Sequence, residues 1–215
     1  MEPGEALGII GPNGAGKTTL MNLIAGDVPV DGGRILFDGQ DITAWTPQRR
    51  CRAGIARSYQ IPHPFVGLTV LENVLVGAVF GAGHGERAAR PLASQALART
   101  GLADKAARLA GSLPLLDRKR LELARALATE PKLLLLDEIA GGLTEHEVQA
   151  LLDTIRGIRA EGVTVVWIEH IVHALLAVVD RLVALDFGRL ITQGEPHAVM
   201  ADPAVREIYM GIDVE

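Results

Sequence analysis

Four short apolar runs punctuate the chain: Ala6 to Gly11 (ALGIIG), Leu133 to Asp137 (LLLLD), Thr164 to Glu169 (TVVWIE) and Arg181 to Asp186 (RLVALD). Each holds five or six residues that are apolar almost throughout, without the in-and-out alternation of a half-exposed strand. That pattern predicts strands covered on both faces, as in a parallel sheet. Two other stretches read as paired strands. RILFDGQDI turns at Asp38-Gly39, and LDFGRLITQG is a hairpin near the end.

Between these runs the period lengthens to that of a helix. Val148, Leu151, Leu152, Ile155 and Ile158 form one apolar stripe that Gly162 ends. Thr144 with Glu147, and Thr69 with Glu72, each fit a capping box, in which a hydroxyl and a carboxylate satisfy free amides at a helix start. Asp202-Pro203 opens a last short helix that is expected to stop at Gly211. From Thr69 to Ala128 there is no convincing strand, and alanine and arginine abound. This stretch predicts a helical subdomain inserted into an α/β core. Phe80 to Arg87 (FGAGHGER) is the one glycine-rich, loop-like segment, and no internal repeat is found.

Length and charge narrow the function classes. A chain of 215 residues is one domain of ordinary size. Its 21 basic and 26 acidic side chains give a net charge of −5, which offers no general footprint for nucleic acid, so no nucleic-acid partner is expected. The single cysteine, Cys51, excludes an internal disulfide framework. Glu2 and Glu5 stand where a secretory signal would be basic, and no apolar run approaches the roughly 18 residues that span a bilayer. A cytoplasmic chain is expected, and a mean hydropathy of +0.24 leaves room for a membrane-protein partner.

The candidate chemistry centres on GPNGAGKTT, which follows an apolar strand and opens a helix, the setting that gives G-x-x-x-x-G-K-[ST] its meaning. Gly11, Gly14 and Gly16 permit backbone conformations in which successive amides point at phosphate oxygens. The cradle is assigned to Gly11, Pro12, Asn13, Gly14, Ala15, Gly16, Lys17, Thr18 and Thr19. Lys17 would reach the β- and γ-phosphates of ATP, and the Thr18 hydroxyl would ligate Mg²⁺. Four leucines lead to Asp137, a carboxylate at a strand end that would hold Mg²⁺ through water. Glu138 follows as the candidate general base for the attacking water. The alternative for either acid is a plain strand-end charge, a reading the cradle weakens, for Asp137 most of all.

The ordered set GPNGAGKTT, SYQ with Gln60, LELARAL running into LLLLDE, and IEH with His170 resembles ATP-binding cassette (ABC) ATPases over nearly the whole chain. ARSYQ, GLTVLENVLVG and DPAVREIYMG look most like the ATPase subunits of branched-chain amino acid uptake systems. The resemblance implies a P-loop NTPase fold with a parallel-sheet core at about 1–66 and 130–215 and a helical subdomain at about 67–129. It implies that Gln60 senses the γ-phosphate and ligates Mg²⁺, and that His170 bonds the γ-phosphate and holds the water. Read without the cradle, Gln60 is a solvated strand-end group and His170 a helix-start residue beside Glu169.

Further expectations follow from the same resemblance. The chain would be an ATP-hydrolysing motor of an importer, peripheral on the inner face of the cell membrane. Its partners would be permease subunits, a second ATPase subunit and, indirectly, a solute-binding protein. Rival readings are a regulatory nucleotide-binding subunit and a soluble ABC-type ATPase outside transport. The apolar stretch Pro64 to Phe80 is either a docking surface or an ordinary core helix.

Several positions depart from the family pattern. Where the family has a Leu-Ser-Gly-Gly-Gln loop that acts on the opposite subunit's nucleotide, this chain reads Leu113, Pro114, Leu115, Leu116, Asp117. Pro114 lacks both hydroxyl and amide proton, and Asp117 is expected to add negative charge near a triphosphate, which favours a heterodimer with a subunit whose loop is intact. Arg118, Lys119 and Arg120 read either as a solvated face, with Arg118 pairing to Glu122, or as an offset to the negative charge of Asp117. Ile139 and Thr144 replace the family's usual residues after the acid pair. Only ten residues precede Gly11, none aromatic, so the upstream strand and adenine-stacking aromatic are expected to be missing.

Overall fold

The fold is that of a computed structural model, in which residues 1–210 are described; Gly211, the expected stop of the last helix, lies outside them. The first strand, β1 (Ala6–Ile10), runs through the glycine-rich loop into α1 (Lys17–Ala25). A small hairpin follows, β2 (Leu36–Phe37) and β3 (Gln40–Asp41), folded about Asp38-Gly39. Next come α2 (Pro47–Ala53) and β4 (Ile55–Ser58). The middle of the chain is helical, with α3 (Val70–Val76), a π-helical turn Gly77–Gly81, α4 (Glu86–Arg99) and α5 (Leu115–Leu127). The remainder alternates, through β5 (Leu133–Asp137), α6 (Glu145–Ala160), β6 (Thr164–Ile168), α7 (Val172–Leu176), β7 (Arg181–Asp186) and β8 (Arg189–Gly194). It closes with α8 (Pro196–Ala201) and α9 (Pro203–Met210).

The main sheet has the order β4-β5-β6-β1-β7-β8, parallel except for β8, which returns antiparallel to β7. Its inner strands β5, β6 and β1 are apolar almost throughout because alternate residues feed two different layers. Ile10, Leu134, Leu136, Val165 and Trp167 enter the larger core beneath α5 and α6. Ile9, Leu135, Val166 and Ile168 enter the smaller core with Met21 of α1 and Ile42. The four leucines are thus two facing pairs. Both capping boxes are present, at Thr69/Glu72 and Thr144/Glu147.

The edge strand β4 is absent from the pattern of apolar runs. Its sequence IARS carries two polar residues, yet Ser58 is buried and the Arg57 side chain is only 8% exposed. Pairing with β5 (Ile55 to Leu133, Ser58 to Leu136) and ion pairs on Arg57 supply what hydrophobicity does not. This strand carries Gln60 to the carboxyl end of the sheet. In open α/β sheets that end is where ligands bind, at the point where strand order reverses. Here the reversal is at β1, flanked by β6 and β7.

The reading of residues 118–120 as a solvated face is overturned. Lys119 is 5% exposed. Arg118 turns back to donate to the carbonyls of Leu113 (2.7 Å) and Gly111 (3.0 Å), and Glu122 pairs with Arg125. Leu113 is buried and Leu116 packs against the core, which leaves Leu115 as the exposed leucine of the trio. Asp117 is likewise turned inward, its carboxylate taken up by Lys105 at 2.7 Å and Arg120 at 3.9 Å. The charge expected near a triphosphate is neutralised within the helical middle of the chain.

Candidate functional site

The cradle's conformation depends on its glycines. Gly11 has φ 154°, and a Cβ there would lie 2.2 Å from the Leu185 carbonyl oxygen. Gly16 caps α1 at φ 97°, so the amides of the first helical turn are turned toward the loop. The β7–β8 turn braces the loop from outside, with the Gly188 amide donating to Ala15 O at 2.9 Å. Asn13, Gly14, Thr18 and Thr19 are exposed, while Lys17 is 5% exposed. Its ammonium folds back onto the carbonyls of Gly11 (2.7 Å) and Pro12 (3.0 Å). Burial pushes the Lys17 ammonium below its ordinary pKa, while the carboxylates of Glu138 and Asp137 oppose that shift.

Those two acids stand across the sheet from the cradle. Asp137 pairs in register with Ile168, which pairs with Ile9, so the end of β5 is level with the start of the loop. Glu138 adopts φ 48°, unusual for a side chain with a Cβ, and its amide donates to Ile168 O at 2.9 Å. Two other loops converge on it. Gln60 Nε2 donates to Glu138 Oε2 at 2.6 Å, and His170 Nε2 stands 2.8 Å from Glu138 Oε1. Residues at 60, 138 and 170, dispersed along the chain, are therefore one cluster beside Lys17. The residues also suit a divalent cation: Thr18 hydroxyl, Gln60 amide oxygen and Asp137 carboxylate are the hard oxygen donors that Mg²⁺ takes.

Comparison with known proteins decides the family. The profile of the family described as ABC transporter matches residues 1–141. The chain belongs to the ABC transporter ATP-binding family. It is 34% identical to the high-affinity branched-chain amino acid transport ATP-binding protein BraF of Pseudomonas aeruginosa, over 98% of this chain and 89% of that one. It is 36% identical to the lipopolysaccharide export system ATP-binding protein LptB of Acidithiobacillus ferridurans, over 97% and 86%. A solved nucleotide-free ATP-binding cassette from an ABC transporter superposes with a TM-score of 0.89 at 32% identity, covering 98% of this chain and 90% of that chain. As a cassette of this family the chain binds and hydrolyses ATP.

Three residues of the cassette carry weight that the sequence reading does not assign. Arg57 donates to Asp137 Oδ2 (2.6 Å), Asn22 Oδ1 (2.6 Å) and Asp27 Oδ2 (3.0 Å), and lies over the Tyr59 ring. It joins the end of α1 to the acid on β5 and leaves Asp137 one uncommitted oxygen. Lys119 donates to Gln60 O at 3.3 Å, and burial lowers its pKa against the opposing charge of Glu169. The signal for Lys119 was available: it falls with Leu116 and Leu123 on the inward stripe of α5. Arg57 sits in the quoted ARSYQ, but nothing in its spacing says which carboxylate it meets. Glu169 is the third.

A cavity of 810 Å³ opens elsewhere, at the opposite end of the strands. Ile35, Phe37, Ile55, Leu133 and Val166 line it, and it includes none of the candidate residues. Its size and apolar walls say nothing about phosphate chemistry, which needs the amides and charges described above. Among the described residues no helix is long and apolar enough to cross a membrane.

Proposed function

We propose that this cassette is the motor subunit of a membrane importer for amino acids or similar small polar solutes. The convergence of Gln60 and His170 on Glu138, beside the cradle lysine, is the observation that carries the catalytic part of this reading. The importer and its solute class rest on likeness to the relative named for branched-chain amino acid transport.

In this reading the amides of residues 11–19 and Lys17 bind the phosphates of ATP. Lys17 must leave the carbonyls of Gly11 and Pro12 to do so, and its lowered pKa reflects the cost of that burial. Thr18, Gln60 and Asp137 would hold Mg²⁺, which supplies charge neutralisation at the phosphate oxygens when bound. Arg57 keeps one oxygen of Asp137 occupied and leaves the other for the ion. Glu138 orients the attacking water and accepts its proton, while His170 and Gln60 fix the carboxylate from either side.

The segment 113–117 supports a mixed dimer. α5 starts at Leu115 behind Pro114, which has neither hydroxyl nor amide proton, and Leu115 lies alongside Gly142 of the next loop. A second, different ATPase subunit would supply the intact loop over this chain's cradle, and permease subunits would take up the motion at the Gln60 loop. The assembly would sit on the cytoplasmic face of the membrane. ATP turnover of this subunit alone, with a second ATPase subunit, and with permease partners in vesicles tests the proposal. The rate per site should rise with each addition; a rate indifferent to both partners would refute the transport role.

A further inference from the structure

Glu169, the neighbour of His170, is 1% exposed, and each of its hydrogen bonds goes to a loop that carries the cluster on Glu138. Oε1 accepts the Ala140 amide at 2.7 Å. Oε2 accepts the amides of His170 at 3.0 Å and Ile171 at 3.5 Å. Ala140 lies two residues beyond Glu138. One side chain therefore fastens the loop leaving β5 to the loop leaving β6, past the last backbone rung from Glu138 N–H to Ile168 O.

A carboxylate buried to this degree is costly unless fully hydrogen-bonded, and an apolar residue here would leave three amides without their acceptor. Burial, with the charge of Glu138 added to it, raises the pKa of Glu169 from its ordinary value, against the three amides that favour its ionised form. Lys119 of α5 is the cation whose charge faces it.

We propose that Glu169 is a positioning residue for ATP hydrolysis: by gripping the backbone after Glu138 and at His170, it sets the separation of those two side chains. This rests on the reading of Glu138 as base and His170 as its partner. A base displaced by about 1 Å loses on the order of 100-fold in rate, while the cradle that binds nucleotide is untouched.

The test compares wild type, Glu169→Gln and Glu169→Ala in whichever assembly the wild type turns over, with Glu138→Gln alongside. Glutamine keeps an acceptor for Ala140 but turns an NH₂ group toward the amide of His170. Both Glu169 variants should lose about 10- to 100-fold in kcat, with nucleotide affinity held to about twofold. Amide exchange, followed by NMR without nucleotide, should accelerate at Ala140, His170 and Ile171 in Glu169→Ala and at His170 and Ile171 alone in Glu169→Gln. Wild-type kcat in the Glu169 variants while Glu138→Gln is inactive would overturn the inference and leave the base assignment standing. Loss of nucleotide affinity in step with kcat would also overturn it, reducing Glu169 to a structural residue. An active Glu138→Gln would remove the base, and the positioning role with it. Should Glu169→Ala not fold, the Gln variant, closest in shape, decides by the same measurements.

Discussion

Gly11→Ala probes the cradle where it is most crowded. The added methyl would lie 2.2 Å from Leu185 O and 2.9 Å from the Ala15 Cβ, and the backbone there is at φ 154°. Alanine has no rotamer to relieve this, and the obstacle is a backbone carbonyl in β7. Holding such a backbone with a Cβ costs about 1–3 kcal/mol. Forcing a methyl into a filled site costs about as much again, roughly 1–3 kcal/mol. A combined loss of about 2–6 kcal/mol lowers Tm by about 4–24 °C for a chain of this length. Gly14→Ala is the control. It has φ 84° but nothing within 4 Å of its added methyl, so only the left-handed conformation is charged, about 1–2 kcal/mol. Thermal melts without nucleotide and calorimetric titration with ATP separate the two. Gly11→Ala should unfold earlier; Gly14→Ala should stay folded and bind ATP more weakly. A Gly11→Ala protein melting within about 1 °C of wild type, or a Gly14→Ala protein melting below the Gly11→Ala protein, would refute the steric account.

Other outcomes follow from the same contacts. Arg57→Met strands Asp137, whose side chain is 8% exposed, and should cost about 3–5 kcal/mol in denaturant unfolding. Adding Asp137→Asn should recover part of that loss, whereas strictly additive losses would deny that the two are coupled. Folding raises the pKa of Glu169, so its contribution to stability is full below the unfolded value of about 4.3 and is lost as pH rises past it. The Tm of Glu169→Gln relative to wild type should therefore improve from pH 4 to pH 8, and parallel curves would contradict the shift. Lys17→Ala should abolish ATP binding, while Glu138→Gln should bind ATP and release no phosphate; a near-normal rate of phosphate release in the latter would exclude Glu138 as base.

Much of this cassette was legible before its fold. Near-continuous apolar runs at 6–10, 133–137, 164–168 and 181–186 are strands because burial on both faces leaves no polar alternation to see. Capping boxes at Thr69 and Thr144 act within four residues, so the local chain contains all the information they need. The cradle is local too: strand, glycines, lysine and helix are contiguous, and its amides are positioned by its own backbone.

What the chain order could not supply is which distant side chains share a site. β4 was hidden because Arg57 and Ser58 are satisfied by partners on other elements, and hydropathy does not register such pairing. The basic run at 118–120 looked solvated because charge usually is, yet Lys119 and Arg118 find carbonyls and Asp117 finds Lys105 only once α5 is packed. Glu169 offered no signal beyond its place next to His170. Its role depends on the amide of Ala140, 29 residues away in sequence and 2.7 Å away in space. Sequence by itself determined the elements whose causes are short-range, the buried strands, the caps and the phosphate loop. Tertiary structure alone decided how Gln60, Glu138, His170 and their supports meet, because hydrogen bonds and ion pairs act over a few ångströms that only the packed sheet brings about.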